Sequence, residues 1–241
     1  MNLILNENFY YRNGDMLDSS PFIQSYLNNI VYGFKYIYET NKKNVLPLYV
    51  YSKKDRKHQI GSCFKTMAGI ITAKHCIENQ DYIQIDGIKA KDMNKAQILI
   101  NENLDLALFK LENNNVTDSY LRTGEGNLLD EIMVMGYPNH AGFSTFLTAT
   151  TGQIAAIEKS YLCNHKLMLL TGKIKGGNSG GPVLNRKGEI VGVITEISKA
   201  EGEYDQFGYG LAIPSSYVAD LKTPFQQDLT FVDDINDCPS L

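Results

Sequence analysis

Gly176-Gly177-Asn178-Ser179-Gly180-Gly181-Pro182 decides how the rest of this chain is read. A serine hydroxyl attacks a carbonyl only when a base takes its proton and donors wait for the oxyanion. The glycines around Ser179 suit the second need. Without a Cβ, Gly177 and Gly180 can take dihedrals closed to other residues, let a substrate approach the main chain, and aim the Gly177 and Ser179 N–H groups at one point. The same heptad also describes a glycine-rich turn between two strands, because short glycine motifs recur by chance. The choice rests on the flanking sequence.

Outward from the heptad, short apolar runs broken by Gly, Asn and Asp fill the chain from Leu46. They predict strands at 46–52, 60–66, 68–73, 81–86, 96–101, 106–111, 131–136, 144–150, 153–158, 167–171, 182–185, 189–197 and 208–213. Strands at this spacing, with no helices between them, imply an all-β sandwich or barrel pair rather than a βαβ sheet. Pro214-Ser215-Ser216 opens a short helix running to Leu221, and residues 223–241 read as a tail. Residues 1–45 form an extension rich in Asn and Tyr with one helical pattern. Ser20 can cap it and Pro21 suits its first turn; Phe22, Ile23, Tyr26, Leu27, Ile30, Val31, Phe34 and Ile37 then recur at helical spacing. That stripe reads as a helix packed on the following domain, or as a partner-binding or autoinhibitory helix. The organisation is an extension (1–45), a β domain (46–222) and a tail (223–241).

With 43% hydrophobic and 21% charged residues, the 241-residue chain has a globular composition, which excludes bulk disorder. Acids outnumber bases by 27 to 23, so the net charge of −4 argues against a nucleic-acid partner. The basic run Lys53-Lys54-Asp55-Arg56-Lys57-His58 reads as a solvated hairpin tip. The first eight residues lack a basic n-region, an adequate apolar core and a small-residue cleavage site. No stretch approaches the roughly eighteen apolar residues that span a bilayer. The expectation is a cytoplasmic protein with no membrane partner, or a secreted one if a leader was removed. Four cysteines, Cys63, Cys76, Cys163 and Cys238, are too sparse for a disulfide scaffold and read as free thiols.

Two residues are candidate partners for Ser179. In Gly69-Ile70-Ile71-Thr72-Ala73-Lys74-His75-Cys76-Ile77 a β-branched strand runs into a histidine, where a side chain can leave a sheet for a cleft. In Asn103-Leu104-Asp105-Leu106-Ala107-Leu108-Phe109 an acid opens an apolar strand. Alone, the histidine reads better as a surface residue after a strand, and the acid as a turn residue. Asp105 set beside an imidazole would fix its tautomer and stabilise the imidazolium formed during proton transfer. His58, His140 and His165 lie in less suitable contexts: the basic hairpin, a segment after a turn proline, and a Cys-Asn-His-Lys loop.

Taken in the order His75, Asp105, Ser179, these segments resemble the trypsin/chymotrypsin-fold serine peptidases. The resemblance is nearest to the bacterial branch of HtrA (protease Do-like) and glutamyl-endopeptidase (V8-like) enzymes. Gly61-Ser62-Cys63-Phe64, Met135-Gly136-Tyr137-Pro138, Thr151-Gly152-Gln153-Ile154 and Gly208-Tyr209-Gly210-Leu211-Ala212-Ile213-Pro214 resemble further motifs of that branch, in register across residues 46–221. The resemblance implies two six-stranded antiparallel β-barrels with a cleft between them. His75 and Asp105 would come from the first barrel and Ser179 from the second. It further implies a serine endopeptidase acting on a protein or peptide without a cofactor. Ser179 would be the nucleophile, His75 the base, Asp105 its orienting acid, and the Gly177 and Ser179 N–H groups the oxyanion hole. The alternative is a catalytically silent scaffold of the same fold that holds a peptide in its cleft. Zinc through His75 and the thiols is disfavoured, because adjacent residues rarely converge on one tetrahedral metal.

The chain departs from the resemblance in several places. Asn178 stands where secreted trypsins carry an acid that pairs with a new amino terminus, so activation of that kind is not expected. The chain ends soon after Leu221, leaving no room for the PDZ domain of HtrA enzymes, and peptide-sensing and cage assembly are not carried over. Cys76 follows the candidate base as in trypsins, yet no cysteine stands at the matching partner position, and Cys63 is the nearest candidate. By register the P1 pocket draws on Thr171 to Lys175, with Lys173 at the floor, and on Thr195, Ile197 and Gly210. Lys173 pointing inward would favour an acidic P1 residue; pointing outward it would leave a pocket for a medium apolar one, the reading preferred here.

Overall fold

The computed structural model describes residues 11–12, 15–16, 21–111, 120–139, 144–160, 163–195 and 208–237. A two-residue hairpin, β1 (Tyr11–Arg12) with β2 (Asp15–Met16), precedes helix α1 (Pro21–Asn41). Six strands follow: β3 (Val45–Ser52), β4 (Lys57–Thr66), β5 (Gly69–Thr72), β6 (Tyr82–Ile85), β7 (Gln97–Ile100) and β8 (Ala107–Lys110). Six more are β9 (Glu131–Gly136), β10 (Thr148–Lys159), β11 (Lys166–Leu170), β12 (Pro182–Asn185), β13 (Ile190–Thr195) and β14 (Gly210–Pro214). This is the all-β arrangement that the strand spacing predicts, in the two-unit form that the family resemblance implies. The second six close into a barrel in the order β10-β11-β14-β13-β12-β9. The first six run β7-β8-β5-β4-β3-β6 as an open half-barrel rather than the closed six-stranded barrel expected, because among the described residues β7 and β6 do not pair with each other and stand at its two edges.

Closure explains the sequence texture of the second barrel. Every residue of β13, Ile190-Val191-Gly192-Val193-Ile194-Thr195, is buried, as a continuous apolar run requires when both faces are covered. The segments predicted at 144–150 and 153–158 are one strand, because Thr151 and Gly152 stay in register with Met133 and Ile132. Its irregularity comes later, between Ile154 and Ala156, where the pairing with β11 shifts.

The barrels share a core. Phe64, Ile71 and Leu106 from the first pack with Met135, Leu184, Val193 and Ile213 from the second. Helix α1 joins this layer through fully buried Ile37 and through Phe34 and Tyr38. Its two helical stretches meet at Gly33 (φ 65°, ψ −158°), a conformation glycine adopts without a Cβ clash. There the helix lies on the turn between β12 and β13: Asn29 Nδ2 donates to Lys187 O at 2.5 Å, and the Arg186 guanidinium stands 4.8 Å from the Phe34 ring centroid. Phe34 and Ile37 of the predicted stripe, and Tyr38 beside them, are therefore engaged by the chain's own core. The side chains of residues 21–26 and Ile30, and the predicted cap Ser20, lie outside the described residues.

The tail reading of residues 223–241 is corrected. β15 (Thr223–Pro224) adds antiparallel to β7, and β16 (Thr230–Phe231) adds parallel to β6. The segment thus flanks both edges of the first sheet, and Phe231 reaches the core edge-on to Phe109, 5.9 Å between centroids. The prediction misses this because strands of two residues carry no readable alternation. Short helical turns at Ser215–Asp220, as predicted, and at Ala90–Met93, not predicted, complete the fold.

Phe64 lies fully buried at the seam. Phe64→Ala is expected to lower unfolding free energy by about 3–5 kcal/mol, read from the urea midpoint at unchanged m-value.

Candidate active site

Asp105 leads into β8, and its carboxylate faces the short 3-10 turn Lys74–Cys76 that follows β5. Its Oδ1 accepts the His75 backbone N–H at 2.7 Å, and its Oδ2 lies 2.6 Å from His75 Nδ1. A third donor comes from the other barrel: Thr195 Oγ1 donates to Oδ2 at 2.5 Å. The carboxylate is thus held by two groups of one histidine and by a hydroxyl at the end of β13. Charge-assisted bonds of this length are about twice as strong as neutral ones.

Burial pushes the His75 imidazole pKa down, and its hydrogen bonds to the Asp105 carboxylate and with the Cys76 sulfur, together with the negative charge of Asp105, overcome it, so the net position lies above the ordinary 6.5. The folded-state pKa is raised, so the pair's contribution to stability is full below the unfolded value and is lost as pH rises through the folded one.

The loop around Ser179 is tied to the first barrel by Ser62 of β4. Ser62 N–H donates to Ser179 O at 2.8 Å, and Ser62 Oγ donates to Gly177 O at 2.7 Å while accepting Tyr137 N–H at 2.8 Å. Within the loop Asn178 N–H donates to Lys175 O, Gly181 N–H to Asn178 O, and Gly180 N–H to Ile194 O. These bonds turn the loop's carbonyls inward, and none of them uses the N–H of Gly177 or Ser179. Two glycines are required here. Gly177 (φ +96°) passes so close to Tyr137-Pro138-Asn139 that a Cβ would lie 2.5 Å from Tyr137 O. Gly180 (φ +82°) leaves no room either, since a Cβ there would overlap Ser62 O and Thr72 Oγ1.

Asn178 is buried, and among the described residues its Oδ1 has no hydrogen-bond partner. An amide tolerates that position at a cost of about 1–3 kcal/mol, less than an unpaired carboxylate would incur.

Cys76 connects the two halves. Its Sγ lies 3.7 Å from His75 Nε2 and 3.6 Å from Ser179 O. Cys63, Cys76 and Cys163 are free thiols, so the considered Cys63–Cys76 bridge does not form. Cys63 is fully buried with its Sγ 3.6 Å from Leu46 O, and burial pushes its thiol pKa far up. The β4 residue that faces Cys76 is Gly61, where a Cβ would stand 3.5 Å from the Cys76 Cβ and 3.0 Å from its Sγ. Two residues along a strand is a displacement of about 6.6 Å, which separates Cys63 from that position.

The P1-pocket residues predicted from register divide. Lys173 is exposed, and its carbonyl accepts Thr150 Oγ1 at 3.0 Å, so an inward ammonium is not what the geometry offers. The Thr195 hydroxyl is engaged by Asp105, a role not predicted for it. Gly210 is buried, and the Ile174 side chain lies across it where a Cβ would stand. Ile197 lies outside the described residues. The other histidines are engaged elsewhere. His58 packs 4.6 Å from the Tyr51 ring, and His165 is buried against Tyr217 with Nδ1 2.9 Å from Lys166 O. His140 lies outside the described residues. The roles of Thr195 and Ile174 were hidden from sequence because they depend on which strands the barrels bring together.

Two β-barrels with a serine loop and a His–Asp pair meeting at their seam define a trypsin-like protein. The family model for the trypsin-like peptidase domain matches residues 61–193, more than half of the chain, and the chain belongs to that family. It is 29% identical over 177 residues to protease Do-like 2, chloroplastic, of Arabidopsis thaliana, covering 70% of this chain and 28% of that protein. It is 27% identical over 159 residues to the periplasmic serine endoprotease DegP of Escherichia coli K12, covering 64% and 32%. The matched region is about a third of the length of these curated relatives. Among solved structures, the Rv3671c protease of M. tuberculosis in its active form aligns with a TM-score of 0.60 at 16% identity, covering 82% of this chain and 88% of that one. The HtrA-type protease AlgW with a tripeptide aligns at 0.58 and 23% identity, covering 76% and 60%. These likenesses bear on the fold.

The cytoplasmic expectation is overturned by the relatives, several of which are periplasmic by name and point outside the cytoplasm. Composition could not reveal this, because export is directed by a leader rather than by the folded domain.

Two measurements check the geometry. Gly61→Cys is expected to bridge to Cys76 under mild oxidation, seen as a linked peptide in non-reducing mass spectrometry. An NMR titration is expected to place the His75 pKa above 6.5 and to find it lowered in Asp105→Asn, with the variant's loss of thermal stability shrinking as pH rises.

Proposed function

We propose that this chain is a serine endopeptidase whose nucleophile is Ser179, with His75 as general base and Asp105 as its orienting acid. The observation that carries the reading is the 2.6 Å contact between His75 Nδ1 and Asp105 Oδ2. With Nδ1–H donated to the carboxylate, the Nε2 lone pair is left to accept a proton. Nε2 takes the Ser179 proton as Oγ attacks the scissile carbonyl, then returns it to the leaving amine. The tetrahedral oxyanion is received by the N–H groups of Gly177 and Ser179, which the loop's own hydrogen bonds leave unused. Such donors are fixed before the reaction, so no reorganisation is needed as charge develops.

Substrates are proteins or peptides with an apolar P1 side chain of moderate size. Exposed Lys173 and the Ile174 side chain over Gly210 support this over an acidic P1 residue.

The reading is tested with an unstructured protein substrate and a peptide library varied at P1. Ser179→Ala is expected to abolish cleavage, and native protein that binds but never cleaves would favour the silent scaffold. Lys173→Ala is expected to leave selectivity unchanged, while Ile174→Ala shifts it toward larger apolar residues. Thr195→Val, which removes one donor from Asp105, is expected to lower kcat/KM by about tenfold, the value of one hydrogen bond to a charged group.

A further inference from the structure

Residues 222–237 run across the first barrel and are sewn to both of its edges. Lys222 and Phe225 donate N–H groups to Ile100 O and Ile98 O on β7; Thr230 and Val232 donate to Asp81 O and Ile83 O at β6. Between these attachments the Gln227 side chain grips the chain just beyond His75. Its Oε1 accepts Asn79 N–H at 2.8 Å, and its Nε2 donates to Gln80 O. Asn79 holds φ +60°, the left-handed region that asparagine adopts more readily than other non-glycine residues, and the Gln227 amide bonds it in that conformation. From there a short ladder leads back to the candidate base. Gln80 N–H donates to Ile77 O at 3.4 Å, and both Ile77 and Glu78 N–H donate to Lys74 O at 3.0 Å. Ile77 is fully buried, so displacement of the turn's exit is passed to the turn itself.

We propose that Gln227 is a positioning residue for His75, and that the 222–237 segment is a strap setting how often the imidazole occupies its working position. The proposal rests on the peptidase reading above. Gln227 acts through the backbone of Asn79 and Gln80 and touches no reacting atom. When its amide is removed, the left-handed turn loses its external support and the His75 turn relaxes away from Asp105. Substrate binding, made largely by the second barrel, is unaffected.

The test compares wild type, Gln227→Ala and Asp233→Ala in steady-state peptide hydrolysis across pH. Asp233 is the strap residue whose Oδ1 accepts Ala90 N–H at 2.8 Å, away from the histidine turn. Gln227→Ala is expected to lower kcat about tenfold, a small misplacement of a base, with KM unchanged. The acidic limb of kcat/KM is expected to move to lower pH, because an imidazole less often paired with Asp105 is less basic. Asp233→Ala should weaken the strap, lower the melting temperature and leave that limb in place. If Gln227→Ala fails to fold, Gln227→Glu, which keeps the acceptor for Asn79 N–H and loses the donor to Gln80, is expected to show a smaller shift in the same direction. Unchanged kcat and limb in the folded Gln227 variant, or an equal shift in Asp233→Ala, overturns the proposal while leaving the peptidase reading intact. Wild-type protein without Ser179-dependent turnover overturns both.

Discussion

The Asp105 carboxylate is the group on which the site depends, because its three hydrogen bonds come from both barrels. The His75 N–H and Nδ1 approach from the first and Thr195 Oγ1 from the second. A partly buried carboxylate without such donors would be a liability, since an ionised group removed from water costs several kcal/mol unless paired. The barrels must therefore dock to satisfy it, and docking is driven by the apolar seam of Phe64, Ile71, Met135 and Val193. Packing at the seam and orientation of the imidazole are two readings of one assembly. A change that loosens the first loosens the second.

A second contact crosses the seam and joins two side-chain hydroxyls to main-chain groups. Ser62 fixes the carbonyls of Gly177 and Ser179, and Thr72 Oγ1 in turn donates to Ser62 O at 2.8 Å. The joint depends on the Ser62 and Thr72 hydroxyls, while its partners on the serine loop are main-chain carbonyls. It does not tolerate a Cβ at Gly180, which packs against Ser62 O, Thr72 Oγ1 and Ala73 N. The heptad is glycine-rich because two sheets and a turn meet there at backbone distance.

Much of this was legible in the sequence. Strand runs such as Ile190–Thr195 and Gly69–Thr72 are mostly apolar and β-branched, and the structure places strands at both. His75 and Asp105 stood out only in the order His, Asp, Ser together with the family resemblance, and the structure brings them into contact. What stayed hidden depends on long-range pairing. Thr195 was assigned to a pocket wall because its hydroxyl's partner lies ninety residues away in the chain. β15 and β16 are too short to show periodicity, and they exist only because the first sheet offers two free edges. Lys173 was ambiguous because register fixes a position along the chain and not the direction of a long side chain.

The central claim, that Asp105 prepares His75 to activate Ser179, is most directly tested by reaction with a fluorophosphonate probe followed by intact mass and peptide mapping. The account predicts a single adduct on Ser179, absent in Ser179→Ala and His75→Ala and formed far more slowly in Asp105→Asn. An adduct rate in Asp105→Asn equal to that of the native chain, or native protein that takes no label on Ser179, would contradict it.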